Sequence, residues 1–374
     1  MNTLSSVRVG ARVKYAREAR NLTQDRLRAA LGFNDRQTVS DIENGKRAVK
    51  AEELVKLSEV LDRDVEFFID PFTVVGEAQY SWRVSPELPG EELDHFEARA
   101  NGWIGVLRWL RAQAGDEGKL NPLKLTLRLN SQSTYEQAQR HAEELVARLG
   151  LGPVPADKLV ACIEQQFDTP VLFVDTGEPS RLGVIWGAAC HLGDFDVILL
   201  NRRESPTRRY FDLAHGFFHT LTWEAMRPEH RESNFVEDRK NVRRAEQLAN
   251  SFASALLMPR AALDELIEPA RAQDVRHLAE VAAKLRVSTQ ALSWRLLHLH
   301  RIDEATHAKL AQRKLQPVKD AAPALFSTEF VRQLHVALDK GRLSARKAAK
   351  SLSLPLSELT ALFAAHELAP PFEL

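Results

Sequence analysis

Apolar residues in the first 72 positions recur every three or four residues, which is the spacing of one helix face. Thr23 stands where an N-cap residue is expected, and Gly32 interrupts the pattern as a tight turn between two helices requires. Residues 36–43 then have the spacing of the next helix. The pattern predicts five short helices between residues 7 and 72, arranged as a helix-turn-helix bundle.

The pattern changes after residue 72. Spaced apolar residues predict a helix over residues 91–112, and strict alternation over residues 123–129 predicts a half-buried strand. Beyond a helix that Thr134 can cap, three strand-like runs precede a buried helix around His215. These runs are residues 171–174, 183–187 and 197–200, and residues 80–84 are expected to be either a short strand or an ordered linker. The chain is therefore predicted to be mostly α-helical with a small mixed sheet.

Polar and proline-containing stretches divide these elements into regions. Residues 278–296 have the spacing of a second helix-turn-helix, and residues 330–374 form a last helical unit after a linker at 316–323. A charged loop at residues 228–240 is expected to be mobile. The predicted regions are an N-terminal helix-turn-helix domain (1–72), a connector (73–134), a central α+β domain (135–300) and a C-terminal helical unit (301–374).

Composition indicates the cellular setting. Apolar residues make up 44% and charged residues 27% of the 374 residues, as in soluble globular proteins. No apolar run reaches the length of a membrane span, and the first residues lack the apolar core of a signal peptide. Cys162 and Cys190 are the only cysteines and form no C-x-x-C motif. We expect a cytoplasmic, disulfide-free protein that has no membrane partner.

Charge is unevenly distributed although the net charge is zero. Residues 1–50 contain 11 basic and 5 acidic side chains, whereas residues 51–100 contain 4 basic and 13 acidic ones. A basic segment is expected of a module that contacts the phosphates of double-stranded DNA. The alternative that stays open is a small helical bundle used for protein contact.

The first 70 residues resemble the Cro/C1-type (XRE) family of helix-turn-helix repressors. The resemblance rests on these residues: Leu22-Thr23-Gln24, Leu27, Gly32, the run from Thr38 to Ile42, and Glu43-Asn44-Gly45-Lys46-Arg47. It implies a recognition helix at residues 36–43 in the major groove, and a homodimer that binds two half-sites of an operator. The residues expected to read base edges are Arg36, Gln37, Thr38 and Ser40. Those expected to contact phosphates are Gln24, Asn44 and Lys46.

A metal site is suggested by His215 and His219, which lie four residues apart in the predicted buried helix. Side chains at i and i+4 share a helix face, so both imidazoles can reach one ion. With 12 histidines in 374 residues, about 0.4 such pairs are expected by chance, so the spacing alone is weak evidence. Glu246, on a second apolar helix, offers a carboxylate that completes a His₂Glu set with one position open. Two core histidines without a metal are the alternative.

The stretch from about residue 135 to residue 297 resembles the ImmA/IrrE family of zinc metallopeptidases. The matching motifs are Phe211-Asp212-Leu213-Ala214-His215 with His219, the helix from Glu246 to Pro259, and Gly187-Ala188-Ala189 before a strand. The resemblance implies a zincin-like fold and zinc ligands at His215, His219 and Glu246. The family motif is H-E-x-x-H, but Gly216 occupies the glutamate position. That glutamate is the general base that takes a proton from zinc-bound water, and glycine has no group that can do so.

We therefore predict a DNA-binding transcription regulator, either a repressor or an antitoxin that controls its own promoter. Its central domain would bind zinc without cleaving peptides and act as a sensor or an oligomerisation body. The alternative is an active zinc endopeptidase that cleaves a repressor partner, with another acid in place of the missing base. Asp212 and Glu224 are acids close to the motif. The expected protein partner is a toxin or a repressor.

Overall fold

The computed structural model describes residues 5–114, 122–177, 183–193, 195–232, 244–313 and 321–372. The chain folds as two compact units. Unit 1 comprises Met1–Gln79, Asp94–Gly118 and Arg332–Leu374, and unit 2 comprises Tyr80–Leu93 and Lys119–Val331. No helix among the described residues combines the length and the apolar character needed to cross a membrane.

Helices dominate the described part of the chain, which agrees with the predicted fold class. In chain order they are α1 Ser6–Ala19, α2 Gln24–Leu31, α3 Arg36–Glu43, α4 Ala51–Leu61, α5 Val65–Ile69, α6 Gly90–Ala114, α7 Tyr135–Arg148, α8 Ala156–Phe167, α9 Pro206–Thr222, α10 Arg244–Leu257, α11 Arg260–Leu266, α12 Val275–Lys284, α13 Thr289–His298, α14 Glu304–Ala311, α15 Thr328–Asp339, α16 Ala345–Leu352 and α17 Leu356–Ala365. A 3-10 turn covers Pro269–Arg271. The strands are β1 Ala78–Val84, β2 Val171–Val174, β3 Ile185–Leu192, β4 Phe195–Asn201 and β5 Arg231–Glu232.

The N-terminal helices α1 to α5 form a bundle with its own core. Thr23 accepts a hydrogen bond from the backbone amide of Arg26 and so caps α2, as the sequence predicts. Gly32 ends α2 in the left-handed conformation (φ 72°), which other residues adopt only at a cost. Buried in the bundle are Val13, Leu27, Val39, Ile42, Leu57 and Phe68. The prediction of five short helices in a helix-turn-helix bundle is confirmed.

Unit 2 is built around a mixed sheet of five strands in the order β2-β4-β3-β1-β5. β2 runs parallel to β4, with Val171 opposite Ile198, and β4 runs antiparallel to β3. At the other edge β1 and the two-residue β5 are parallel, with Arg83 opposite Glu232. The small mixed sheet expected from the sequence is therefore confirmed, and it contains one strand, β5, that was not expected.

One hydrophobic core joins the sheet to the helices of unit 2. Helix α9 packs against β3, β4 and α10, and α10 also packs against α7. Phe218 of α9 and Phe252 of α10 are fully buried, with ring centroids 5.4 Å apart. The core therefore holds α9 and α10 side by side, and side chains on their facing surfaces can meet.

The strand predicted at residues 123–129 is wrong, because this segment has no regular secondary structure. Leu127 and Leu129 are buried, as the alternation indicates, whereas Leu123 is exposed. The Leu127 amide donates its hydrogen bond to the carbonyl of Leu221 in α9 rather than to a neighbouring strand. Successive side chains of an extended segment point to opposite sides. Apolar and polar residues therefore alternate whether the segment packs on a helix or pairs within a sheet.

The predicted charged loop at 228–240 and the predicted linker at 316–323 lie largely outside the described residues, which omit 233–243 and 314–320. Within the loop, Arg231 and Glu232 form β5. The helix pair predicted at residues 278–296 is observed as α12 and α13, and its Leu278 and Leu292 are buried in the core of unit 2.

Candidate metal centre

Helix α9 places His215 and His219 in the interior of unit 2. Ser205 caps the helix by accepting a hydrogen bond from the Arg208 amide, and Pro206 occupies its first turn. The two histidines lie on one helix face, with their Nε2 atoms 3.0 Å apart and both side chains completely buried. Two buried ring nitrogens at this distance need a common partner, which can be a shared proton or a metal ion.

Helix α10 brings Glu246 to the same point. Its Oε2 atom lies 3.2 Å from Nε2 of His215 and 3.6 Å from Nε2 of His219. Burial by itself raises the pKa of the Glu246 carboxyl, but His219 and His215 hold that pKa well below its usual range. The three residues predicted as ligands are therefore together in the structure, and their role as ligands stays a prediction.

A fourth member of the cluster, Glu232, was not predicted from the sequence. Its Oε2 atom lies 3.1 Å from Nε2 of His215, and its Oε1 atom lies 3.7 Å from Nε2 of His219. All four residues are buried, and each can offer one ligand atom within 4.8 Å of the others. No local pattern marks Glu232, which stands in a charged stretch, and only the pairing of β5 with β1 brings it to the histidines.

Asn250 orients the ring of His215. The Asn250 Oδ1 atom lies 3.0 Å from His215 Nδ1, so the ring donates through Nδ1–H and directs its Nε2 lone pair at the cluster. Asn250 stands one helical turn after Glu246, so α10 supplies both a cluster member and the group that sets the histidine tautomer. Histidines that bind metals are commonly held in this way.

The charge of the cluster favours a bound cation. Glu232 and Glu246 bring two carboxyl groups to the buried imidazoles, and the guanidinium of Arg83 lies 3.6 Å from one of them, Glu232. Burial and the nearby Arg83 lower the pKa of His215, whereas Glu232 and Glu246 raise it, and the net shift is upward. A divalent cation between the four side chains would balance the two carboxylates.

The spacing of the donor atoms fits zinc. Zinc binds nitrogen and oxygen ligands at about 2.0–2.2 Å, so the donors of a tetrahedral site lie about 3.3–3.6 Å apart. His215 Nε2 lies 3.0 Å from His219 Nε2, 3.1 Å from Glu232 Oε2 and 3.2 Å from Glu246 Oε2, and His219 Nε2 lies 3.6 Å from Glu246 Oε2. The oxygen of Glu232 that lies 3.7 Å from His219 Nε2 is the other one, Oε1. Two imidazoles and two carboxylates are also ligands that zinc accepts.

The two acids considered as replacements for the missing base lie outside this cluster. Asp212 is buried, but it accepts a hydrogen bond of 3.1 Å from Arg208 and lies 3.3 Å from Arg83. Glu224 has 82% of its side chain exposed and lies 3.5 Å from His191. Neither carboxylate is placed against the two imidazoles of α9.

Gly216 stands where the resemblance to the H-E-x-x-H motif places a general base, and it is buried in α9. A Cβ atom at residue 216 would lie 3.2 Å from Cγ2 of Ile198, which is closer than an ordinary van der Waals contact. Any side chain at this position therefore requires Ile198 to move. Position 216 therefore carries no carboxylate, and a Cβ there would fit only if the Ile198 side chain shifted by a few tenths of an ångström.

In unit 1 the residues predicted to contact DNA lie on and beside α2 and α3. Exposed are Arg36, Gln37, Asn44 and Lys46, and half-buried are Gln24, Thr38 and Ser40. Gln24 accepts a hydrogen bond of 3.3 Å from Arg36 and donates one of 2.8 Å to Glu43, which pairs with Arg17 at 2.5 Å. These bonds tie the start of α2 to α3, so the predicted base-reading and phosphate-contacting residues lie on adjoining elements. Their contacts with DNA stay a prediction.

Two parts of the chain match known family models. Residues 13–68 match the model described as helix-turn-helix, which covers α2 and α3. Residues 165–297 match the model described as the IrrE N-terminal-like domain of peptidase family M78, which covers all four residues of the cluster. Comparison with curated proteins and with solved structures found no match. The chain therefore joins an XRE-type helix-turn-helix domain to an IrrE-like domain of the metallopeptidase type.

Proposed function

We propose that the protein is a DNA-binding transcription regulator whose IrrE-like domain binds zinc and does not cleave peptides. A repressor, or an antitoxin that controls its own promoter, fits this description. The observation that carries the proposal is Gly216, a residue without a side chain that packs on Ile198 where a peptidase needs its base. In this proposal the IrrE-like domain serves as a sensor or as an oligomerisation body.

DNA binding is supported by the helix-turn-helix match and by the excess of basic residues in positions 1–50. Arg36 and Gln37 are exposed at the N-terminal end of α3, where a recognition helix contacts base edges. Arginine suits guanine and glutamine suits adenine, because each can form two hydrogen bonds to that base. Asn44 and Lys46 are exposed just beyond α3 and would set the register through phosphates.

The loss of peptidase activity follows from the chemistry of the missing group. Zinc, when bound, would supply a Lewis acid and lower the pKa of a coordinated water, but hydrolysis also needs a base that accepts the proton. Asp212 is engaged by Arg83 and Arg208, and Glu224 is exposed beside His191. The site thus retains residues that fit a metal while the usual proton acceptor is absent from position 216.

One observation favours a second candidate, an active zinc endopeptidase that cleaves a repressor partner. Glu232 places a buried carboxylate 3.1 Å from His215 Nε2. A carboxylate near the metal could take the role of the missing base if a water molecule separated it from the ion. The two candidates differ in whether the zinc-loaded chain cleaves a protein.

Cleavage assays with the full-length, zinc-loaded protein test this choice. Purified helix-turn-helix repressors and unfolded casein serve as substrates, and we expect no cleavage by the wild type. Cleavage that stops with a chelator and in His215→Ala would overturn the proposal in favour of the peptidase. Elemental analysis of the same samples should find zinc in the wild type and not in His215→Ala. A metal-free wild type would instead support the interpretation of two core histidines.

We further propose that the protein binds its operator as a homodimer, because helix-turn-helix domains of this type usually read two half-sites one helical turn apart. Sedimentation analysis of the protein, alone and with DNA that carries one or two half-sites, measures the stoichiometry. A monomer that binds a single half-site with full affinity would contradict this part of the proposal.

A further inference from the structure

Building on the proposed zinc site, we infer that Glu232 is a fourth ligand that closes the coordination sphere. Zinc would then be held by His215, His219, Glu232 and Glu246, with no position open to water or substrate. Closed four-ligand sites are structural, whereas catalytic sites keep one position open. The inactivity of the domain would then have two causes, the missing base at Gly216 and the position filled by Glu232.

Each glutamate has carboxylate oxygens close to both histidines. Glu246 Oε2 lies 3.2 and 3.6 Å from the Nε2 atoms of His215 and His219, whereas Glu232 approaches His215 through Oε2 (3.1 Å) and His219 through Oε1 (3.7 Å). A general base instead hydrogen-bonds to the metal-bound water at about 2.6–3.2 Å, so the water separates it from the ligands. The 3.1 Å distance from Glu232 Oε2 to His215 Nε2 is that between two ligands of one ion.

The Oε2 atom of Glu232 is buried without a hydrogen bond. Ser81 donates a hydrogen bond of 3.0 Å to Oε1. Oε2 accepts no well-aligned hydrogen bond among the described residues, and its polar neighbours are His215 Nε2 at 3.1 Å, which presents its lone pair in the tautomer set by Asn250, and Arg83 Nε at 3.6 Å. Glu232 is only 3% exposed, so water cannot easily replace the missing partner. A buried, unsatisfied carboxylate oxygen is unfavourable, and coordination of a cation at the cluster would satisfy it.

Glu232 is carried by a different element from the other three residues. It stands on β5, a two-residue strand at the edge of the sheet, whereas His215 and His219 stand on α9 and Glu246 on α10. A strand of two residues has room for few backbone hydrogen bonds. A metal ion held by all four side chains would therefore join the sheet edge to both helices, and its binding would contribute to the stability of unit 2.

Cobalt(II) substitution tests the inference, because four-coordinate cobalt absorbs visible light much more strongly than five- or six-coordinate cobalt. We expect a strong four-coordinate spectrum for the wild type, and no change when azide is added, since no position is open to it. Glu232→Gln should bind cobalt about tenfold more weakly or worse, with a spectrum that azide shifts. Glu87→Gln, which changes an exposed glutamate of the same unit, should behave as the wild type.

The outcomes separate this inference from the proposed function. A wild-type spectrum that azide shifts, or a Glu232→Gln protein with unchanged affinity and spectrum, would overturn the fourth ligand and leave zinc binding in place. A wild type that binds no cobalt and no zinc would overturn the metal site itself. Circular dichroism shows whether Glu232→Gln is folded, and if it is not, the azide titration of the wild type decides the question alone.

Discussion

Gly216 of α9 packs directly on Ile198 of β4, and a Cβ atom on the glycine would stand 3.2 Å from the isoleucine Cγ2. Glycine inside a helix costs about 1 kcal/mol relative to alanine. The close approach of helix and sheet offsets part of that cost, because the smallest residue avoids a clash. A glutamate at this position would therefore require the side chain of Ile198 to shift by a few tenths of an ångström.

Helix propensity alone predicts that Gly216→Ala raises the free energy of unfolding by about 1 kcal/mol. We expect a smaller increase, because the new Cβ would press on Ile198. In an Ile198→Ala background, which removes Cγ2, the full gain should return. Urea denaturation of the four proteins of this double-mutant cycle measures the coupling. Equal effects of Gly216→Ala in the two backgrounds would show that Ile198 does not constrain residue 216.

Asn250→Ala should lower the affinity for zinc by about 10–100-fold, because His215 Nδ1 loses the acceptor that fixes its ring. Competition with a chromophoric chelator measures this affinity. Ser251→Ala is the control: Ser251 follows on the same helix and bonds to Gln139 of α7, so the affinity should not change. An Asn250→Ala protein that binds zinc as tightly as the wild type would count against His215 as an Nε2 ligand.

Arg36→Ala should weaken specific operator binding by about 1–3 kcal/mol and relax the preference at one base pair, because an exposed guanidinium at the start of α3 is lost. Fluorescence anisotropy with the operator and its single-base variants measures both effects. Lys56→Ala, which removes an exposed charge on α4, should bind as the wild type. A uniform loss over all DNA sequences would assign Arg36 to a phosphate instead.

Lys46→Ala should weaken binding to every DNA sequence to a similar extent, because a phosphate contact carries no sequence information. The slope of the logarithm of the binding constant against the logarithm of the salt concentration should become smaller in magnitude by about 1, because binding then releases about one counterion fewer. Anisotropy titrations over a series of salt concentrations measure this slope. If the slope is the same in both proteins, Lys46 does not contact a phosphate.

The stability of the β3–β4 hairpin should depend on pH through His191. The hydrogen bond from His191 Nδ1 to Asp196 (2.7 Å), helped by Glu224 and opposed by partial burial and Arg227, raises the pKa of His191 above its ordinary value of 6.5. Its stabilising contribution is therefore fully present below about pH 6.5 and is lost as the pH rises through the raised pKa.

The stability difference between the wild type and His191→Gln should accordingly shrink as the pH rises from about 6 to about 9. Denaturant titrations across this range measure it. Asp196→Asn should reduce the same pH dependence, because it removes the acceptor that raises the pKa. A difference that stays constant with pH would mean that the charged imidazole contributes nothing to folding.

The candidate site could be predicted from the sequence only in part. His215 and His219 are four residues apart, so any helix places them on one face, and the apolar spacing around Glu246 marks a second buried helix. Glu232 has no such signal, because its position depends on the pairing of β5 with β1, about 150 residues away in the chain. The strand predicted at residues 123–129 was wrong for a related reason. Alternating apolar residues show that one face of the segment is buried, but they do not show whether a helix or a neighbouring strand covers that face.

The sequence by itself determined the short helices, the mostly helical fold with its small sheet, and the glycine where a base would stand, because each depends on residues a few positions apart. Only the tertiary structure decided that Glu232 joins the histidines and that Ile198 lies against Gly216. Both contacts join residues that are far apart in the chain. Their energies depend on burial and on interatomic distances of a few ångströms. Such quantities arise only when helices and strands pack, so no local pattern of residues contains them.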